Sequence, residues 1–112
     1  MTSGLRPFHP RAARDPRHEA AREFTELSAL LRRVAAAVAV ASDPLERARL
    51  ASELRHVQLE IDAFIKRHEA HISASTRKYL DTASLQIEIR LTAMAARAAR
   101  HARHARIRAR RV

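Results

Sequence analysis

The sequence of 112 residues contains no cysteine, no tryptophan and only one glycine, at position 4. The lack of cysteine excludes disulfide bonds and thiolate zinc sites. A phosphate-binding loop needs several glycines for close backbone approach, so a single glycine argues against a nucleotide cradle. All four prolines precede residue 45, which leaves the rest of the chain without strong helix breakers. These absences predict an all-α fold.

Long hydrophobic runs are also missing. The longest, residues 34–41, is far shorter than the roughly 20 apolar residues that a membrane-spanning helix needs. The N-terminus lacks the hydrophobic region of a signal peptide. We therefore expect a cytoplasmic protein of bacterial or phage origin, with no membrane partner. Aromatic residues are limited to one tyrosine and three phenylalanines, so the core of this single domain must be aliphatic and alanine-rich.

The excess of positive charge lies entirely at the two ends of the chain. Residues 1–17 have a net charge of +3, and residues 97–112 have seven arginines and no acid. Between them, residues 18–96 carry eleven basic and eleven acidic side chains. The sequence therefore predicts a neutral packed segment and ends that attract polyanions. Because the basic residues are almost all arginine in an alanine-rich chain, as a GC-rich genome would encode, their clustering is more informative than their identity.

Residues 1–14 contain two prolines and the only glycine without any sustained period, which indicates a flexible basic arm. Asp15 and Pro16 then form a helix start, with Asp15 as N-cap and Pro16 at the first helical position. The apolar or small residues that follow are spaced alternately four and three apart, as in a heptad seam. They are Ala20, Phe24, Leu27, Leu31, Val34, Val38 and Ala41.

A second helix begins at Asp43 and Pro44, with Glu46 placed as in a capping box. So short a connection predicts an antiparallel helical hairpin. The second seam is Leu50, Leu54, Val57, Ile61, Phe64, His68 and His71. A second stripe is expected to widen this apolar face so that the helix can touch two neighbours. Its members are Leu45, Ala48, Leu59, Ile65 and Ile72.

Residues 73–76 are the joint at which two interpretations divide. Ser73 or Ser75 can cap a third helix, although Arg77 and Lys78 in its first turn oppose the helix dipole. We favour a turn here, and the alternative is one continuous helix from residue 44 to beyond residue 96. The third seam is Leu80, Ser84, Ile87, Leu91, Met94 and Ala98, with Leu85 and Ile89 as a flanking stripe. The sequence thus predicts an antiparallel three-helix bundle, or helical hairpin, over residues 15–96.

The apolar pattern stops near residue 96, and residues 97–112 form a tail of Ala, Arg and His. At 100° per residue its arginines surround the helix axis instead of forming one charged face, so we expect a frayed helical extension or disorder. Seven arginines can neutralise several phosphates and attract nucleic acid without sequence preference. The predicted polyanion-contact residues are Arg97, Arg100, Arg103, Arg106, Arg108, Arg110 and Arg111.

Two patterns suggest metal sites, and both have plainer explanations. His68 and His71, like His101 and His104, are three residues apart, a spacing that places two imidazoles on one helix face. The two pairs lie about 40 Å apart along the third helix, so they cannot form one site, and the first pair is expected to close the end of the bundle.

Residues 53–56 match Glu-x-x-His, but a di-iron bundle needs two such motifs. We predict no metal and no other cofactor.

No nucleophile–base pair and no glycine-rich phosphate loop is present, so we expect no enzymatic activity and no small-molecule substrate.

The heptad seams instead favour a helical interaction protein of the adaptor or scaffold type, forming a homo-oligomer or docking on another helical protein. Basic termini would contact anionic partners. The predicted protein interface is Phe24, Leu27, Leu31 and Val34, with Leu54, Ile61, Phe64 and Leu91 opposite. The alternative is a small nucleic-acid-binding protein, such as a phage or plasmid DNA-packaging or regulatory component, that uses the arginine-rich tail.

Overall fold

The computed structural model describes residues 15–111, so the predicted arm at residues 1–14 lies outside the described residues. Within this range there are three α-helices and no strand, which confirms the all-α prediction. Helix α1 spans Pro16–Val40, α2 spans Pro44–His68 and α3 spans Ala74–Arg111. A single 3-10 turn, Glu69–His71, lies between α2 and α3. No helix in residues 15–111 is long and apolar enough to cross a membrane.

The first two helices begin where the sequence predicts. Asp15 has an extended backbone and its Oδ1 accepts a hydrogen bond from the Arg17 amide at 2.9 Å. Asp43 repeats the arrangement, with Oδ1 at 3.4 Å from the Leu45 amide. In both cases a proline follows the cap, where its missing N–H would have no partner in the helix. The aspartates thus satisfy amides that the first turn leaves unpaired.

The chain breaks between α2 and α3, which confirms the three-helix interpretation over one continuous helix. The backbone tightens into the 3-10 turn, and Ile72 is extended. The Ser73 hydroxyl then accepts a hydrogen bond from the Thr76 amide at 3.1 Å. Ser73 is therefore the N-cap of α3, and a side-chain acceptor replaces the glycine or proline that usually marks a break.

The three helices share one hydrophobic core. Each contributes one face with heptad spacing, and in α2 the buried residues are the predicted seam from Leu50 to His68 in order. His71, predicted as the next member, is exposed because α2 has ended before it. Burial of each large aliphatic side chain stabilises the fold by about 1.5–3 kcal/mol. The core residues are Leu27, Val34, Leu54, Val57, Ile61, Phe64, Leu80, Ala83 and Ile87.

Each helix runs back along the one before it. Arg67, near the end of α2, bonds to Glu23 near the start of α1, and Gln58 in the middle of α2 bonds to Glu88 in α3. Helices α1 and α3 meet through side chains, with the rings of Phe24 and Tyr79 edge to face at 5.6 Å between centroids. This geometry lets one aliphatic core serve all three helices.

The predicted second stripe of α2 is only partly a packing surface, and the predicted flanking stripe of α3 is apolar surface that α1 and α2 leave uncovered. Leu45, Ala48 and Leu59 on α2 are exposed, and so are Leu85 and Ile89 on α3. The reason is angular: Leu59 lies two residues from Val57 and from Ile61, so it points about 180° away from the seam. Only Ile65 and Ile72 of the predicted stripe pack against the core.

Helix α3 is longer than its neighbours. Its 38 residues span about 57 Å, against about 37 Å for the 25 residues of α1 or α2. Pro44, the first residue of α2, lines the same groove as Ala98 and His101 of α3. Residues 102–111 therefore extend about 15 Å beyond Pro44, the N-terminal end of α2.

Candidate functional site

The C-terminal part of α3, residues 97–111, forms a surface that we name the basic extension. It is α-helical to Arg111. Alanine and arginine are strong helix formers, and the basic side chains of the last turn interact favourably with the negative end of the helix dipole. All seven predicted polyanion-contact residues are exposed: Arg97, Arg100, Arg103, Arg106, Arg108, Arg110 and Arg111.

Within the residues that the structure describes, no acidic group neutralises the charge of the basic extension. In residues 15–111, none of its seven arginines forms an ion pair, and the extension itself contains no acid. In contrast, several exposed arginines between residues 15 and 96 pair with acids, such as Arg49 with Glu53 at 3.2 Å and Arg77 with Asp81 at 3.3 Å. The guanidinium donors of the extension are thus free to bind an external anion.

An apolar groove lies at the base of the basic extension, between the start of α2 and the second half of α3. Its volume is about 370 Å³. Leu91 and Met94 contribute its larger apolar side chains. Alanines at i, i+3 spacing on both helices let the backbones form a concave surface, a signal that sequence inspection missed. The remaining apolar lining is Pro44, Ala48, Ala51, Ala95 and Ala98, and the basic lining is Arg47, Arg55, Arg97 and His101.

Comparison with known proteins gives no match: no family model, curated protein or solved structure matches this chain. Function is therefore inferred from the charge and geometry of residues 15–111.

The eight residues predicted to form a protein interface are brought together, but inside one chain. Five are in the buried core, namely Leu27, Val34, Leu54, Ile61 and Phe64. The other three, Phe24, Leu31 and Leu91, pack against that core. As an interface with another chain this set stays a prediction. The large apolar side chains that another chain could reach in residues 15–111 are a different set, which includes Leu45, Leu59, Leu85 and Ile89.

A polar cluster that the sequence did not reveal closes one end of the core. Arg67 Nη2 donates to Glu23 Oε1 at 2.7 Å, and His68 Nε2 lies 3.1 Å from the same oxygen. The hydrogen bond from Arg67, followed by the close approach of the His68 imidazole, lowers the pKa of Glu23 below its ordinary value. His68 is buried, and the 3.1 Å approach of its Nε2 to Glu23 falls outside good hydrogen-bond geometry. This cluster joins α1 to α2.

The residues of the two suggested metal motifs are not assembled into a site. His68 is buried beside Glu23, whereas His71 is exposed in the 3-10 turn. Glu53 pairs with Arg49 and His56 Nε2 lies 3.9 Å from Glu60, so each belongs to an exposed i, i+4 pair along α2. Residues 15–111 contain no group of three or more His, Asp or Glu side chains placed to hold a metal ion.

Proposed function

We propose that the protein is a non-enzymatic helical interaction protein of the adaptor or scaffold type. Residues 15–96 act as an antiparallel three-helix bundle that self-associates, and the basic extension contacts an anionic partner. The observation that carries this proposal is the separation of packing from charge along α3. Its last core-packing side chain is Met94, and it is followed by seven exposed arginines that form no ion pair within residues 15–111.

A role in protein contacts is supported by apolar surface that the three helices do not cover. Leu59, Leu85 and Ile89 are each at least 60% exposed. Single exposed leucines are common on soluble proteins, but two large aliphatic side chains one turn apart on a single helix form a contiguous apolar patch. The same patch is the expected position of a helical partner.

The second candidate function is a nucleic-acid-binding protein proper, in which the basic extension is the active part and the bundle is its scaffold. The shape of the extension favours this candidate, because the major groove of DNA admits an α-helix and arginines around the helix can reach both flanking phosphate backbones. The extension contains no aromatic residue that could stack on bases. Binding would therefore depend on contacts with phosphates, which carry no sequence preference. A membrane surface fits less well, since Ile107 is the only large apolar residue of the extension in residues 97–111.

Truncation after Ala96 separates the two candidates. The full chain and the truncated chain are compared for retention of duplex DNA and for self-association. If nucleic-acid binding is the main role, truncation abolishes retention, and retention by the full chain falls steeply with salt. If the bundle is the main functional part, the truncated chain still self-associates. A full chain that stays monomeric and retains no DNA at low salt would contradict both candidates.

A further inference from the structure

The groove at the base of the basic extension combines apolar lining with charge of one sign. Three arginines line it, Arg47, Arg55 and Arg97, together with His101. Among the residues that the structure describes, no Asp or Glu lines it, and the rest of the lining is apolar. In residues 15–111 none of the three arginines forms an ion pair. An occupant that matches this surface must therefore combine apolar area with negative charge.

Acids close to the groove in sequence have other partners or point elsewhere. Asp43 caps α2. Glu88 of α3 accepts a 2.7 Å hydrogen bond from Gln58. Glu46 is five positions from the groove residue Ala51, so it points about 140° away from it. Within residues 15–111, the positive charge of the groove is thus left for a partner to neutralise.

The basic groups of the groove lie close to whole helical turns apart. Arg47 and Arg55 are about 12 Å apart along α2, and Arg97 and His101 are about 6 Å apart along α3. From Pro44 to Arg55 the groove is about 16 Å long, which accommodates about three turns of another α-helix. Carboxylates at i, i+4 spacing on such a helix rise about 6 Å at each step, which matches the spacing of the basic groups.

We propose that this groove is the docking site for an acidic amphipathic helix of a partner protein. The inference rests on the protein contacts in the proposed function, and it adds a second surface whose partner has a defined chemical class. The apolar face of the partner helix lies on the half-buried Leu91 and Met94, and its carboxylates face the groove arginines. Alanines on α2 and α3 allow the partner helix to approach closely. An apolar helix face laid into a groove between two helices is a common mode of recognition.

The apolar floor favours a protein helix over the other occupants. Duplex DNA would satisfy the arginines through its phosphates but would leave Leu91 and Met94 largely uncovered. Two copies of this chain paired by two-fold symmetry through the groove would set its like charges against each other. An acidic amphipathic helix meets both requirements of the surface at once.

Fluorescence anisotropy of a labelled synthetic peptide added to the full chain tests the proposal. The probe has three heptads with Leu at a and d and Glu at e and g, and the like charges disfavour pairing of the probe with itself. It should bind at least about tenfold more tightly than two control peptides, one of the same composition in scrambled order and one with Lys replacing every Glu. A probe that does not bind, or that binds no better than either control, would overturn the proposal.

Two matched alanine variants locate the binding site. Ala98 lines the groove, whereas Ala96 is also exposed but points about 160° away from it on α3. Both Ala98→Glu and Ala96→Glu change the net charge equally, but only the first places a carboxylate against those of the probe. The dissociation constant of the probe should rise by at least about tenfold for Ala98→Glu and by less than about twofold for Ala96→Glu. Equal effects would place the probe elsewhere and contradict the assignment.

The same two variants distinguish the other occupants. If Ala98→Glu weakens binding of duplex DNA as much as binding of the probe, and Ala96→Glu does not, the groove is a nucleic-acid surface. If Ala98→Glu alone dissociates an oligomer in sedimentation, a second copy occupies the groove. Either result would rule out the partner helix. A chain that binds no probe but still self-associates or retains DNA would refute this inference and leave the proposed function standing.

Discussion

Glu23 accepts a 2.7 Å hydrogen bond from Arg67, which joins the first turns of α1 to the last turn of α2 across 44 residues of sequence. The carboxylate is largely covered, and the guanidinium is half exposed. The contact is therefore a partly desolvated ion pair, and His68 approaches the same oxygen. Because this ion pair lies at the end of the α1–α2 hairpin, its polar side chains cover that end of the hydrophobic core.

Removal of the charge on Glu23 is expected to destabilise the fold slightly. We predict that Glu23→Gln lowers the free energy of unfolding by about 0.5–1 kcal/mol, because the partly exposed pair is screened by solvent. Urea denaturation at neutral pH measures the change. Glu26→Gln is the control, since the ion pair of Glu26 with Arg22, at 3.7 Å, is exposed on one helix. Equal effects of the two variants would show that the Glu23 contact is not structural.

The lowered pKa of Glu23 predicts an acid-dependent loss of stability. A carboxyl whose pKa is lower in the folded state stabilises the fold above its unfolded pKa, and this contribution is lost as pH falls through the folded value. The ordinary value is 4.5, so stability should decline as the pH falls from just above 4.5 to below it. Urea midpoints measured through this range should fall less for Glu23→Gln than for the wild type. Parallel curves would argue against the assigned cause.

A core position and its exposed neighbour provide a third prediction. Ile61 is fully buried, and Leu59 two residues away is 67% exposed. Ile61→Ala should cost about 2–5 kcal/mol through lost burial and the resulting cavity. Leu59→Ala should stay within about 0.5 kcal/mol. Thermal unfolding followed by circular dichroism separates the two, and a larger effect at Leu59 would indicate that α2 packs by the opposite face.

Local chemistry in the sequence was enough to predict the helices. Asp15 and Asp43, each followed by proline, carry their own capping acceptor, and Ser73 does the same for α3. The α2 seam was predictable because 3-4 spacing determines which face is buried. The break at residue 73 was less certain, since no glycine or proline marks it.

Contacts between distant residues were not predictable in the same way. The bond between Glu23 and Arg67 depends on how far α2 is shifted along α1. Heptad spacing alone is compatible with shifts that differ by one helical turn. Leu59 was assigned to a widened packing face of α2 because its hydrophobicity was counted without its angle from the seam. The basic-rimmed groove arises only when the alanines of α2 and α3 come together.

The basic extension provides the last prediction, which concerns salt. Each phosphate neutralised in duplex DNA adds about 0.9 to the slope of log affinity against log salt concentration. Replacement of Arg103 and Arg106 by Gln should therefore reduce the slope by about 1–2 and weaken binding at low salt. Arg32→Gln with Arg33→Gln removes the same charge from an exposed part of α1 and is the matched control. Fluorescence anisotropy over a salt series measures both. If the two double variants lose equal slope, net charge alone attracts the DNA; if only the first loses slope, the helix beyond the core is the contact surface.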